Sequence, residues 1–408
     1  MKNIYLDNAA TTAIRPEVIA EMIQVMQNDF GNASSSHSFG RSAKSIIETS
    51  RKSIAKEMGC SAQEIIFTTN ATEATNWILK NAVDNLGITR IITSKIEHHA
   101  TLYTVLHLQK TNDIKVDYVN TLPNGTIDVN HLVILLGQDS KTLVTLMHVN
   151  NEIGTVLPIE KVARICKQHN TLFHCDTVQS IGKTKFNLHE IEIDYVVASA
   201  HKFHGPKGIG FAYIKKGVHI LPFVYGGEQE KGLRAGTEAL HQIAGMSKAL
   251  ELSHQNLETE TAHITDLKKY CTDKLSETFP DFKVNGENTF YNILNVCLPF
   301  SPDKASLILF NLDMKGIAVS RGSACQSGSP KPSHVLAEFL NEEDLAKPSL
   351  RISFGHTNSK SDIDALITAL RDLIYCLKFK NKPNRRRYTR LIISQLNRNS
   401  ITSICFYW

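Results

Sequence analysis

The sequence predicts an α/β fold, with a large domain built on a mostly parallel sheet and a smaller α+β domain. Between residues 65 and 214, short apolar runs alternate with segments of helical period, as expected for strands buried on both faces of a sheet. Near residue 255 the pattern changes, because a polar helix over 257–279 leads into shorter β and α units. The 408 residues are enough for two such domains.

The predicted elements of the large domain follow in order. The strands are 65–68, 90–93, 116–119, 143–147, 171–175, 195–198 and 209–214, and the clearest helices are Pro16–Asn28, 41–58, 73–83 and 159–169. Pro16 in the first turn and Gly59 after Met58 are typical start and stop signals. We expect a large domain over 15–255, a small domain from 1–14 with 256–377, and a basic tail over 378–408.

The net charge of +5 belongs to this tail. From Lys378 onward there are eight Lys or Arg residues and no acidic ones, and removing these eight from the 45 basic residues leaves 37 against 40 acidic, a net charge of −3. A nucleic-acid-binding body would carry its basic patch within the fold, so this class is disfavoured. The tail itself is predicted to be disordered.

Composition points to a soluble protein of the cytoplasm. No apolar run approaches the ~20 residues that span a bilayer, and polar residues after Asp7 occupy the place of a signal-peptide core. The cysteines form no CxxC pair and no Cys/His metal spacing, so no metal site is predicted and most are expected to be core residues. They lie at 60, 166, 175, 271, 297, 325, 376 and 405.

Polar clusters directly follow the predicted strands, where open parallel sheets bind ligands. The first cluster, 69–73, opens a helix, and its small residues leave backbone N–H groups free for an anion. We therefore interpret Ala71 and Thr72 as a phosphate cradle. The alternative is an ordinary N-cap by Thr72.

Two further clusters supply groups suited to a heterocycle. His98 follows the strand 90–93 and can stack on an aromatic ring and shuttle protons, unless it is an ordinary surface histidine. Asp176 follows 171–175 and can keep a pyridine nitrogen protonated, while Gln179 can bond a phenolic oxygen. The alternative for Asp176 is a cap of the next turn.

Lys202 follows the strand 195–198 and is flanked by His201 and Phe203. Positive neighbours or partial burial would depress its pKa and free an amine for a Schiff base. A phosphate-binding helix, a stacking histidine, an aspartate and a lysine together predict a pyridoxal-phosphate (PLP) site.

Four segments of the chain resemble the cysteine desulfurases of the NifS/IscS type. They are 5–12, 147–152, His201-Lys202 with Gly205-Pro206-Lys207-Gly208, and 321–325. The resemblance runs from about residue 3 to 377 and implies the aspartate aminotransferase-like fold of PLP-dependent transferases, with PLP as cofactor. It departs at Ala235, where the family often has serine, and at His356, where arginine is frequent.

The resemblance also implies roles for individual residues. Lys202 would form the Schiff base and move the substrate proton, with His98 assisting. The residues implied in cofactor binding are Ala71, Thr72, His98, Asn151, Asp176, Gln179, Ser199, His201, Lys202 and, from a second subunit, Thr237. Asn151 and Arg351 would bind the substrate, Arg351 as a bidentate clamp on its carboxylate; by itself, Arg351 is equally an ordinary surface ion pair.

Cys325 lies in a stretch of small residues, Gly and Pro, which predicts a loop and not an inert core position. By resemblance it carries sulfur from L-cysteine as a persulfide and passes it to a protein acceptor such as an iron–sulfur scaffold, or into tRNA thiolation. We expect a homodimer. The rival interpretations are a selenocysteine lyase, a class V aminotransferase, and a PLP-bound scaffold that only docks sulfur acceptors.

Overall fold

The computed structural model describes residues 3–138, 140–302, 305–322 and 332–380. The strands, in chain order, are β1 (Ile4–Tyr5), β2 (Ile65–Thr68), β3 (Arg90–Ser94), β4 (Lys115–Val119), β5 (Thr142–Thr145), β6 (Leu172–Asp176), β7 (Tyr195–Ser199), β8 (Gly210–Ile214), β9 (Lys283–Val284), β10 (Ile293–Cys297), β11 (Ile317–Ala318) and β12 (Ser349–Ser353). The helices are α1 (Pro16–Asn28), α2 (Ser38–Met58), α3 (Ala71–Asp84), α4 (His99–Asn112), α5 (Val129–Leu136), α6 (Ile159–Gln168), α7 (Leu240–Gln255), α8 (Leu257–Thr278), α9 (Ala305–Met314), α10 (Glu342–Ala346) and α11 (Lys360–Lys380).

Within these ranges the central sheet runs in the order β2-β8-β7-β6-β5-β3-β4. The strands from β7 to β4 are parallel to one another, and β8 is antiparallel to both of its neighbours. The carboxyl ends of β3, β5, β6 and β7 therefore meet at one edge of the sheet. The predicted α/β fold with a mostly parallel sheet is confirmed.

Strand β7 shows why the sheet is buried on both faces. Val196 and Ala198 pack in the core formed with α2, α6 and α7, whereas Tyr195 and Val197 pack in the core formed with α3. Alternate residues of a strand point to opposite faces, so a continuous apolar run serves both cores at once.

A further core lies between residues 264 and 373 and also takes in Leu6. There β10 pairs antiparallel with β9 and β12, and the N-terminal strand β1 pairs in parallel with β11. The first residues of the chain thus join elements more than 300 residues later in sequence. The domain boundaries at 15, 255 and 377 stay predictions.

The structure corrects several predicted ends. Helix α2 begins at Ser38 and not at 41, because His37 caps it by accepting a hydrogen bond from the Gly40 N–H at 3.3 Å. Strand β5 ends at Thr145 and not at Met147, because the Met147 N–H donates to the Glu97 carboxylate at 2.7 Å instead of to a neighbouring strand. Helix α11 continues to Lys380, so three residues of the predicted tail belong to it. The remainder of the tail lies outside the described residues.

None of the helices in the described ranges has both the length and the apolarity required to cross a bilayer.

Candidate active site

A cavity of about 450 Å³ opens at the carboxyl ends of the parallel strands. Ten of the residues singled out from the sequence line it: Ala71, Thr72, His98, Asn151, Asp176, Gln179, Ser199, His201, Lys202 and Arg351. They come from strands, helix starts and loops far apart in the chain, and the fold brings them together.

The amino terminus of α3 forms one end of the cavity. Asn70, and not Thr72, caps this helix, because its Oδ1 accepts the Glu73 N–H at 2.9 Å; the N-cap alternative for Thr72 is wrong. The Ala71 N–H donates to the Ser199 hydroxyl at 2.8 Å. A hydroxyl that accepts still has its own proton to donate, so Ser199 and the helix terminus form an anion-binding surface.

Lys202 ends a short helical turn directly after β7. Its Nζ donates to the backbone carbonyls of Ala9 at 2.7 Å and Ala10 at 2.9 Å, so the N-terminal segment supports the amine from one side. Gln179 donates its Nε2 to the same Ala9 carbonyl at 2.9 Å. The Gln179 Oε1 is buried and finds no hydrogen-bond partner among the described residues.

Asp176 is buried at the end of β6. The sequence offered two interpretations of Asp176, a partner for a pyridine nitrogen and a cap of the next turn, and both are compatible with its position. The carboxylate lines the cavity, and one of its oxygens also accepts the Val178 N–H at 3.0 Å. Burial raises the pKa of Asp176, and the Val178 hydrogen bond and the charge of Lys202 oppose this effect. A carboxylate in this position can hold a proton on a bound heterocycle.

Glu97 is a buried carboxyl group that sequence reasoning missed. It accepts hydrogen bonds from the Met147 N–H at 2.7 Å and from Ser94 at 3.2 Å. Burial, with a smaller contribution from the charge of Asp176, raises the pKa of Glu97 to about 8. A pKa of about 8 favours the protonated form of Glu97 near pH 7. The signal available in the sequence was an acidic residue directly before His98.

Two cavity histidines are held neutral. The His98 Nδ1 accepts the Ala100 N–H at 3.1 Å and caps α4, which places the ring proton on Nε2. Burial and then the charge of Lys202 lower the pKa of His98 to about 4. His201 bonds the Thr11 hydroxyl at 3.1 Å, and burial lowers its pKa to about 4 as well. The surface alternative for His98 is wrong.

Arg351 lies in the middle of β12, and only 1% of the residue is exposed. Its guanidinium donates to the Asn151 carbonyl and to the Asp7 carboxylate, both at 2.8 Å. The Nε is buried without a hydrogen-bond partner in the described part of the chain. The alternative of an ordinary surface ion pair is therefore wrong. Asp7 is a second carboxylate that the sequence did not single out as a site residue.

Two of the predicted site residues do not line this cavity. Thr237 is exposed and absent from the cavity wall of its own chain. Nearby, Arg234 pairs with Glu73 of α3 at 2.9 Å, which ties this segment to the anion-binding helix terminus. Cys325 lies outside the described residues; Gly322 and Ser333 lie on either side of the segment that carries it.

The residues present fit PLP. The α3 terminus with Ser199 suits a phosphate, the buried Asp176 suits a pyridine nitrogen, the Lys202 amine suits an aldehyde, and the orphaned Gln179 amide oxygen indicates a missing partner. Over the described ranges, no group of three or more His, Cys, Asp or Glu side chains is arranged to hold a metal ion.

Comparison with known proteins identifies the class. The family model of the class V aminotransferases matches residues 4–366, so the chain belongs to the class V aminotransferase family. Its relatives include the cysteine desulfurase IscS of Dictyoglomus turgidum, 38% identical over 92% of this chain and 96% of the relative, and that of Clostridium botulinum strain Kyoto, 38% identical over 91% and 94%. The resemblance to the cysteine desulfurases found in the sequence is thereby confirmed.

Solved structures give the same placement. A NifS-like protein superposes with a TM-score of 0.84 at 36% identity, covering 92% of this chain and all of that one. A NifS-like protein from Rickettsia africae superposes with a TM-score of 0.81 at 33% identity, covering 91% and 99%.

Proposed function

We propose that this protein is a PLP-dependent cysteine desulfurase that converts L-cysteine to L-alanine and retains the sulfur as a persulfide on Cys325. The observation that carries the proposal is one cavity that holds the Lys202 amine, the buried Asp176 carboxylate and the Arg351 guanidinium beside an anion-binding helix terminus. The many cysteine desulfurases among its relatives support the choice of substrate.

Cofactor binding is assigned to the large domain, 15–255. Ala71, Thr72, Ser199 and His201 would hold the phosphate, and Asp176 would keep the ring nitrogen protonated. His98, Gln179 and Asn151 line the same cavity and would hold the ring. When bound, PLP supplies an electron sink for electrons released at the substrate α-carbon.

Substrate binding and proton transfer use side chains from both domains. Arg351, from the small domain formed by 1–14 and 256–377, binds the cysteine carboxylate in place of Asp7 as a planar bidentate donor. The Lys202 Nζ removes the proton from the α-carbon and later returns one to the product. The neutral His98, with its proton on Nε2, donates hydrogen bonds or protons toward the cavity.

Sulfur transfer is assigned to Cys325. Its thiolate attacks the substrate sulfur; the S–S bond forms, the Cβ–S bond breaks, and the bonding electron pair stays on the substrate carbon, which is then protonated. The sum is L-cysteine plus an enzyme thiol giving L-alanine plus an enzyme persulfide. A thiolate suits this step because it is a strong nucleophile toward sulfur.

We further propose that the persulfide supplies a protein acceptor, such as an iron–sulfur scaffold, or tRNA thiolation, and that the enzyme works as a homodimer in the cytoplasm. The exposure of Thr237 supports the dimer, since that residue is free to reach the phosphate site of a second copy. A fully active monomer in sedimentation would contradict the shared site. The requirement for a free thiol supports a reducing compartment.

The deciding experiment incubates the PLP-loaded protein with L-cysteine and a reductant and measures alanine and sulfide. Alanine and sulfide in equal amounts, absent with Lys202→Ala, are expected. Parallel reactions with selenocysteine separate the desulfurase from a selenocysteine lyase. If no alanine forms from either substrate, the proposed function is wrong.

A further inference from the structure

Glu152 is a fully buried carboxylate next to the cavity-lining Asn151. Its backbone is fixed from two sides, because its N–H donates to the Asn150 Oδ1 and its carbonyl accepts from the Asn295 Nδ2, both at 2.9 Å. The backbone that carries this side chain is therefore held in place on both sides. None of the roles described above uses this carboxylate.

One oxygen of the Glu152 carboxylate binds Ser333. The Ser333 hydroxyl donates a short hydrogen bond of 2.5 Å to the Oε2. The Ser333 oxygen also accepts the N–H groups of Val335 at 3.1 Å and Leu336 at 3.2 Å. Ser333 thus links Glu152 to the start of the short helical turn Leu336–Glu338.

The same carboxylate lies against Gly322. A Cβ placed on this glycine would be 2.9 Å from the Oε2 and 3.4 Å from the Cδ of Glu152. This separation is too short for a side chain, and the buried glutamate has little room to move away. Gly322 is therefore a position where the backbone must pass close to the carboxylate.

Gly322 and Ser333 are the described residues that contact Glu152 on either side of the Cys325 segment. Two points of the chain, separated by ten residues, thereby lie at one carboxylate, which is hydrogen-bonded to Ser333 and lies close to Gly322. Just before Gly322, the backbone of Ser320 exchanges two hydrogen bonds with Arg351, at 3.1 and 2.6 Å. The chain directly before Gly322 is therefore also fixed to β12, the strand that carries Arg351.

We propose that Glu152 is a positioning residue that holds the Ser333 end of the Cys325 segment close to its Gly322 end, which the Ser320–Arg351 hydrogen bonds fix. The inference rests on the proposed function of Cys325. Fixing the ends of a segment removes positions in which its thiol lies far from the substrate, and so raises the effective concentration of the thiol at the sulfur. Loss of Glu152 is then expected to slow sulfur transfer without changing cofactor or substrate binding.

The test compares Glu152→Ala, Glu152→Gln, Ser333→Ala and the double variant E152A/S333A. Ser42→Ala is the matched control, because it removes an exposed serine–carboxylate bond to Asp29 of the same 2.5 Å length. Three quantities are measured: cofactor occupancy and cysteine affinity by absorbance, the single-turnover rate of persulfide formation on Cys325 by mass spectrometry, and the rate of Cys325 alkylation by iodoacetamide in cofactor-free protein.

We expect persulfide formation to slow by about tenfold or more in Glu152→Ala and Ser333→Ala, with cofactor occupancy and cysteine affinity within about twofold of the parent. The double variant is expected to be no slower than the slower single variant, because both substitutions break one interaction. Glu152→Gln retains a carbonyl acceptor for Ser333 and should stay within about threefold of the parent. The alkylation rate should change in both single variants and not in Ser42→Ala.

The proposal is overturned if persulfide formation in the single variants stays near the parent rate, if their losses add in the double variant, or if cofactor occupancy falls in parallel. If Glu152→Ala does not fold, Ser333→Ala tests the same bond from its partly exposed side. If the parent protein forms no persulfide, the proposed function fails, whereas the alkylation rates in cofactor-free protein still test whether Glu152 holds the segment.

Discussion

The Arg351 guanidinium donates a hydrogen bond to the Asp7 carboxylate at 2.8 Å, so the N-terminal segment covers a buried arginine in the wall of the active-site cavity. The second terminal nitrogen donates to the Asn151 carbonyl, also at 2.8 Å. A buried arginine held on two sides is already oriented, which lowers the entropy cost of binding a carboxylate. If Arg351 binds the substrate carboxylate as proposed, that carboxylate takes the place of Asp7, and the affinity is lowered by the loss of the Arg351–Asp7 pair.

Arg351→Lys keeps the positive charge and removes the planar pair of donors. We expect KM for cysteine to rise by about tenfold or more, since one hydrogen bond to a charged group contributes roughly 1.5–3 kcal/mol. The change in kcat should be smaller. Steady-state kinetics measure both values. Arg15→Lys is the control, because Arg15 forms a similarly buried pair with Glu260 at 2.7 Å outside the cavity. Equal rises of KM in both variants would contradict the clamp.

Glu97→Gln is expected to stabilise the protein increasingly as the pH rises. Burial raises the pKa of Glu97 to about 8 in the folded state, whereas an unfolded glutamate titrates near its ordinary value of about 4.3. Between these pH values the folded state holds a proton that the unfolded state has released, so stability falls with rising pH. Glutamine does not titrate, and its advantage should grow by roughly 1.4 kcal/mol per pH unit in this window.

Urea denaturation at several pH values between about 5 and 8 measures this difference in the free energy of unfolding. The exposed Glu190→Gln serves as control and should show no such trend. A stability difference for Glu97→Gln that does not depend on pH would mean that Glu97 is ionised in the folded protein.

The sequence predicted the residues that line the cavity, but it did not indicate the roles of the carboxylates Glu97 and Asp7. Strand patterning alone placed Asp176 and Lys202 at the ends of neighbouring strands, because parallel strands share one carboxyl edge. The buried Glu97 carboxylate instead accepts a hydrogen bond from the backbone N–H of Met147, which is fifty residues away. No local sequence pattern indicates such a contact. The pairing of Asp7 with Arg351 likewise joins the two ends of the chain.

Helix ends show the same division between local and tertiary signals. The end of α2 at Met58 was predicted, because Gly59 adopts the left-handed conformation with a φ of 60°. Its beginning was missed, because histidine is an uncommon cap and His37 was not recognised as one. The loop position predicted for Cys325 stays a prediction, since that residue lies outside the described ranges.

Lys202→Ala tests the attachment of the cofactor. The parent protein should be yellow, and borohydride should fix the cofactor to the Lys202 peptide, which mass spectrometry identifies. The variant should retain some cofactor through the α3 terminus and Asp176 but lose the fixable linkage and all alanine formation. Lys207→Ala is the control, since Lys207 lines the same cavity. A borohydride-fixed linkage found at Lys207 would show that the wrong lysine has been assigned.

Truncation after Lys380, where α11 ends, tests the basic tail. The class V aminotransferase family model ends at residue 366, before the removed residues, so desulfurase activity should stay within about threefold of the full chain. Alanine formation and the midpoint of urea unfolding are the measurements. A loss of folding or of activity would show that the tail contributes to the enzyme itself.

Cys325→Ser tests the nucleophile. A hydroxyl is a poor acceptor for sulfur, whereas a thiolate attacks sulfur readily, so the variant should bind PLP and cysteine but form almost no persulfide or alanine. After cysteine treatment without reductant, mass spectrometry of the parent should find about 32 Da, one sulfur atom, added to the Cys325 peptide. The buried thiols make suitable internal controls, because burial raises the pKa of both Cys166 and Cys271 to about 12 and keeps them protonated. If the added mass lies on one of these or on another cysteine, and the serine variant turns over normally, Cys325 is not the residue that receives the sulfur.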